Sequence, residues 1–77
     1  MDIKILGPGC HRCHDLEART RQALADLGVD ATVEAVTDVG EIAGYGLLQT
    51  PGLVVDGDLV VAGRVPTVRE LARLLAA

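Results

Sequence analysis

The chain has 77 residues, 49% of them hydrophobic and 23% charged, with a formal net charge of -4. That leaves room for one small core, so residues 1–77 are expected to form a single domain, and disorder is a poor explanation of the composition. The six arginines and Lys4 are scattered rather than striped, which excludes the electrostatic footprint of a nucleic-acid binder.

The opening Met1-Asp2-Ile3-Lys4-Ile5-Leu6 reads as a short strand broken at once by Gly7-Pro8-Gly9. Its apolar run is too short for a signal-peptide core, and no stretch approaches the ~20 apolar residues of a membrane span. A soluble, cytoplasmic monomer is the default expectation, with no membrane partner. From Cys10 onward Leu16, Thr20, Ala23, Leu24 and Leu27 recur at helical spacing. Asp15 with Arg19 and Glu17 with Arg21 are expected as i,i+4 pairs on the outer face. Gly28 supplies the stop.

Residues 31–36 alternate like a second strand, and Asp38 followed by Glu41 has the spacing of a capping box. The helix it opens, over 39–48, is weakly written because Gly40, Gly44 and Gly46 each cost roughly 1 kcal/mol relative to Ala. Thr50-Pro51 leads into 52–55 and, after Asp56-Gly57-Asp58, into 59–62, which predicts a hairpin on an Asp-Gly turn. Gly63-Arg64-Val65-Pro66 then precedes Thr67-Val68-Arg69-Glu70, a second capping box, with Val68, Leu71, Ala72 and Leu75 on one helical face. The order is β-α-β-α-β-β-α. A right-handed crossover makes the first two strands parallel and the hairpin is antiparallel, so an α/β fold follows, with a four-stranded mixed sheet flanked by helices. Tyr45 is the only aromatic residue, which leaves the core to aliphatic side chains and makes Tyr45 an expected core anchor.

The chemistry lies in Gly7-Pro8-Gly9-Cys10-His11-Arg12-Cys13-His14, which sets two thiols three residues apart where a strand hands over to a helix. In a reducing compartment such a pair is not a permanent staple. Unpaired N–H groups and the positive end of the macrodipole at a helix N-terminus favour thiolate over thiol. Cys10, at the loop edge, is the expected nucleophile. Cys13, one turn in, would attack a mixed disulfide formed on Cys10 and release the substrate. His11 and Arg12 are expected to tune the thiolate, although for His11 and His14 a merely solvated position is an equal reading. A proline opening a strand, as Pro51 does, can hold a cis peptide bond and set the Thr50 backbone beside the cysteines for an extended substrate. The plainer alternative is that Pro51 only starts a strand.

These residues resemble the thioredoxin-like superfamily, and within it the small, glutaredoxin-sized redox-active disulfide proteins of archaea and bacteria. The resemblance spans nearly the whole chain and rests on Gly7-Pro8-Gly9-Cys10-His11-Arg12-Cys13, Leu27-Gly28-Val29-Asp30, Thr50-Pro51-Gly52-Leu53-Val54-Val55-Asp56-Gly57 and Gly63-Arg64-Val65. It implies a thioredoxin fold, thiol–disulfide oxidoreductase activity without a bound cofactor, a disulfide-bearing protein substrate and a thioredoxin-reductase-like or other electron donor. It also implies Cys10 as attacking thiol, Cys13 as resolver and Pro51 as a cis-proline. The chain departs from thioredoxin in carrying Gly9 before the pair and His11-Arg12 within it. Lys4 stands where thioredoxin buries an acid, and Gly63-Arg64-Val65 replaces the Gly-Gly and acidic pair of glutaredoxins.

Two other readings compete. Cys10-His11-Arg12-Cys13-His14 is letter for letter a c-type haem attachment site, but the strand-rich order, the lack of an internal Met and the near absence of aromatics weigh against it. A soft-metal carrier for Cu(I) or Zn would also place Cys-x-x-Cys between a first strand and first helix. That fold ends on a strand and has no Thr-Pro before a hairpin. Arg64 could meet a partner's acidic rim or simply be solvated.

Overall fold

Alternation of Ile3 and Ile5 with Lys4 and Leu6 puts apolar side chains on both faces of the first strand, so it needs cover from both sides. The computed structural model, which describes residues 1–76, supplies that cover; Ala77, the last residue of the expected domain, lies outside the described residues. The elements are β1 (Asp2–Leu6), α1 (His11–Leu27), β2 (Thr32–Val36), α2 (Val39–Gly44), β3 (Gly52–Val55), β4 (Asp58–Ala62) and α3 (Val68–Ala76). They form one four-stranded sheet in the order β2-β1-β3-β4, with β1 parallel to β2 and antiparallel to β3, and β3 antiparallel to β4. This is the expected mixed α/β architecture.

One face packs under α1 and α3. Ile3, Ile5, Leu53 and Val61 from the sheet meet Leu16, Ala23 and Leu24 of α1 and Leu71 and Leu75 of α3. Thr20 is fully buried in α1, and its hydroxyl is satisfied by donating to the Leu16 carbonyl at 2.7 Å. The other face carries Leu6, Val36 and Val54 against Ile42 of α2 and Leu47, with Tyr45 and Leu59 half-buried at its margin. Tyr45 is thus a rim residue of the core, its hydroxyl accepting from Lys4 Nζ at 3.3 Å.

Three local features differ from the sequence expectation. Helix α2 stops at Gly44, because Tyr45 caps it, Gly46 turns left-handed (φ 77°) and Leu47 leaves the helical path to bury itself against the sheet. Strand β4 carries a bulge at Val60, which opposes no residue of β3. As a result Leu59 and Val61, two apart in sequence, reach opposite faces: Val61 faces the α1 side and Leu59 the α2 side. Finally, Arg19 does not pair with Asp15; its Nη1 donates to the carbonyls of Val65 (3.3 Å) and Pro66 (3.1 Å). The Glu17–Arg21 pair forms as expected at 3.2 Å.

Both capping boxes form on their N-cap side. Glu41 N–H donates to Asp38 Oδ2 at 2.9 Å, and Glu70 N–H donates to Thr67 Oγ1 at 3.1 Å. In a helix of six residues the cap is a large share of what holds it. Asp38→Ala is expected to cost about 1 kcal/mol. In a domain of this size that lowers the thermal midpoint by roughly 4–8 °C, measurable by calorimetry or far-UV circular dichroism.

Candidate active site

The chain leaves β1 through Gly7-Pro8-Gly9 and enters α1 at Cys10, which is the N-cap residue with extended backbone (φ -76°, ψ 174°). Cys10 is exposed and Cys13 is buried at 5% exposure, both as free thiols, with their sulfurs 3.3 Å apart. A disulfide needs ~2.05 Å, so closing the bond asks for a mutual approach of only about 1.3 Å.

The two thiols are electrostatically unlike. Cys10 sits below the ordinary thiol range, held there first by the backbone N–H of Cys13, then by the Cys13 thiol, with a smaller contribution from the backbone N–H of Arg12. These are the groups a helix N-terminus leaves unpaired. Cys13 is pushed up, first by burial and then by the same sulfur–sulfur contact, in which it acts as donor to the Cys10 thiolate. One contact therefore drives the two values apart.

Gly7 makes the burial of Cys13 sterically feasible. A Cβ at that position would collide with Cys13 Sγ and stand 3.6 Å from the Thr50 Cβ, so the glycine is where the Cys13 and Thr50 side chains converge. The Thr50–Pro51 peptide bond is cis, Pro51 is fully buried and Thr50 half-buried. Sequence reading kept Gly7 as part of a motif but missed its role as the space Cys13 needs. The signal was a glycine directly after the buried end of β1 that needs no left-handed φ for the bend it makes.

The cationic neighbours are placed differently from the cysteines. His11, almost fully exposed, lies against Asp15 at 3.3 Å. Arg12 donates from Nη2 to the Gly63 carbonyl at 3.0 Å. His14 is exposed, and Arg64 pairs with Glu70 at 3.0 Å. Lys4 spends its ammonium on Tyr45, whose hydroxyl contact is the first cause raising Lys4 above its ordinary value. A small cavity of about 30 Å³ lies beside Cys13, with Ile5, His14 and Glu17 in its wall; Glu17 is the one carboxylate there among the described residues.

A family model described as a thioredoxin domain matches residues 1–76. The chain belongs to the thioredoxin family. Two curated thioredoxins are similar over most of its length. One, the thioredoxin of Methanothermobacter thermautotrophicus, is 41% identical over 76 residues, 99% of each chain. Another, the thioredoxin of Methanocaldococcus jannaschii, is 39% identical over 69 residues, 90% of this chain and 79% of that one. As a thioredoxin, the protein is a thiol–disulfide oxidoreductase with the thioredoxin-like fold that its sequence motifs implied. The soft-metal alternative gains no support from the family match or from these relatives.

Gly7→Ala tests the packing at this site. Overpacking of this kind costs about 1–3 kcal/mol. It is expected to drive Cys13 out of its place, so that an alkylating probe labels Cys13 in the native variant but not in the wild type, as read by mass spectrometry.

Proposed function

We propose that this thioredoxin, as a single domain, passes two electrons from its Cys10–Cys13 dithiol to a disulfide-bearing protein and is then re-reduced by a thioredoxin-reductase-like or other electron donor. The observation that carries this reading is the pair of unlike thiols at contact distance, Cys10 exposed and lowered, Cys13 buried and raised. A cytoplasmic setting fits, because a reducing compartment returns the pair to its dithiol form.

The cycle balances in two exchanges. Cys10 thiolate attacks one sulfur of the partner's disulfide; that bond breaks, the other partner sulfur leaves as thiolate and takes up a proton, and Cys10 becomes a mixed disulfide. Cys13 then loses its proton and attacks Cys10 Sγ, so the Cys10–Cys13 bond forms and the partner's second sulfur departs as thiolate. The net transfer is two electrons from protein to substrate; the Cys13 proton and one from solvent protonate the two departing thiolates. Lowering the Cys10 value raises the ionised fraction of the exposed attacker above that of an ordinary thiol, while raising that of Cys13 keeps the second thiol protonated until Cys10 is consumed.

The Cys13 proton leaves by the cavity at its side, where Glu17 offers an acceptor. The half-buried Thr50, whose side chain converges with that of Cys13 at Gly7, offers backbone groups to an extended substrate segment, and Pro51 holds that segment's seat. His11 and the Arg12 backbone N–H complete the mouth of the helix around Cys10.

The assignment of roles is tested by single replacements. Cys10→Ser is expected to abolish disulfide reduction with dithiothreitol as donor, and Cys13→Ser to accumulate a covalent mixed disulfide visible on a non-reducing gel. Equal activity of either variant with the wild type would refute it.

The pH dependence of alkylation follows from the direction of the two shifts. Because Cys10 is lowered, its half-maximal labelling should fall below the ~8.5 of a free thiol. Cys13→Ala removes the thiol donor but leaves both backbone N–H groups, so the midpoint should move upward without reaching the free-thiol value. A midpoint that stays in place would assign the whole effect to the backbone.

A further inference from the structure

Two arginines of α1, seven residues and about two turns apart, reach across to the same connection between β4 and α3. Arg12 Nη2 donates to the Gly63 carbonyl at 3.0 Å, and Arg19 Nη1 donates to the carbonyls of Val65 and Pro66 at 3.3 and 3.1 Å. The connection is irregular, so its carbonyls have no ladder partners of their own and the guanidinium groups take that place. Arg64, within the same segment, is occupied by Glu70 and does not compete.

The two contacts differ in what lies behind them. Gly63 also donates its N–H to the Pro51 carbonyl at 2.8 Å. Arg12, placed between the two cysteines in sequence, is therefore one residue removed from Pro51 in space, by way of Gly63. Three segments meet along this path: the start of α1 with its thiols, the entry to β3 at Thr50-Pro51, and the exit of β4. Arg19 ties down only the far end of the connection, toward α3.

The geometry points to Arg12 as a positioning residue. We propose that its guanidinium acts on the reaction through Gly63 and not through its charge on Cys10. By fixing Gly63, and through it Pro51, it holds the substrate seat in the shape that an extended polypeptide segment laid along Thr50 binds, with its disulfide beside the Cys10 sulfur. This rests on the reading of Thr50-Pro51 as a substrate seat. A planar fork with several N–H groups suits a fixed carbonyl better than a mobile ammonium does.

The test uses a synthetic peptide closed by one disulfide as substrate and dithiothreitol as donor. For Arg12→Ala the KM for the peptide should rise about fivefold, as the loss of one exposed hydrogen bond of ~1 kcal/mol predicts at tenfold per 1.4 kcal/mol. Its kcat should stay within about a factor of two, and the pH midpoint of Cys10 alkylation should not move. Arg12→Lys, which keeps the charge and one donor, should fall between wild type and Arg12→Ala; it also serves as the readout should the alanine variant not fold. Arg19→Ala is the control for mere loosening of the connection, with a lowered thermal midpoint and an unchanged KM.

An unchanged KM in folded Arg12→Ala would overturn the proposal. So would an upward move of the alkylation midpoint, which would return Arg12 to a charge role, or an equal rise of KM in Arg19→Ala. Failure of the oxidoreductase reading itself would look different, since the wild type would then not turn over the peptide at all.

Discussion

The site depends on a difference in solvation imposed on two chemically identical groups. Cys10 and Cys13 are one helical turn apart, yet one faces water and the open end of α1 while the other is enclosed by β1 and the helix body. Their sulfurs touch, so whatever favours charge on the first opposes it on the second. If both were exposed, both would compete to attack; if both were buried, neither would be ionised. Gly7 maintains the difference, since only the absence of a side chain there lets Cys13 turn inward.

The convergence of segments around those sulfurs is a property of sheet order. Strand β1 ends at the cysteine loop, and β3 runs antiparallel to β1, so β3 must begin at the same end. Strand β4 returns antiparallel to β3 and must finish there too. Leu6 opposes Gly52, and Gly52 opposes Ala62, which places the residues just outside them, Gly7, Pro51 and Gly63, at one pole of the molecule. The residues that surround the dithiol thereby come from the loops at the strand ends.

Arginine shows how the same residue type serves different ends on one helix. Arg21 makes the surface pair its spacing suggests, and such a pair is worth little. Arg12 and Arg19 instead answer backbone carbonyls on a connection without secondary structure. Arg12, expected from the sequence as a neighbour that tunes the thiolate, has its guanidinium hydrogen-bonded to the Gly63 carbonyl while its backbone N–H faces Cys10.

Local signals in the sequence determined most of the fold. The element order came from hydrophobic periodicity, the caps at Asp38 and Thr67 from side-chain chemistry that acts within four residues, and the stop at Gly28 from the one residue type at ease in its left-handed conformation (φ 67°). The dithiol was legible for the same reason, as its two members lie in one turn. What tertiary structure alone decided involves partners distant in sequence. The bulge at Val60 reassigns Leu59 and Val61 to opposite faces because two cores, on two sides of β4, each need one of them. Arg19 leaves Asp15 for residues more than forty positions away, and Gly7 earns its place only against Cys13 and Thr50. Periodicity and spacing report on neighbours along the chain; they carry no information about which carbonyl or sulfur the folded chain will bring alongside.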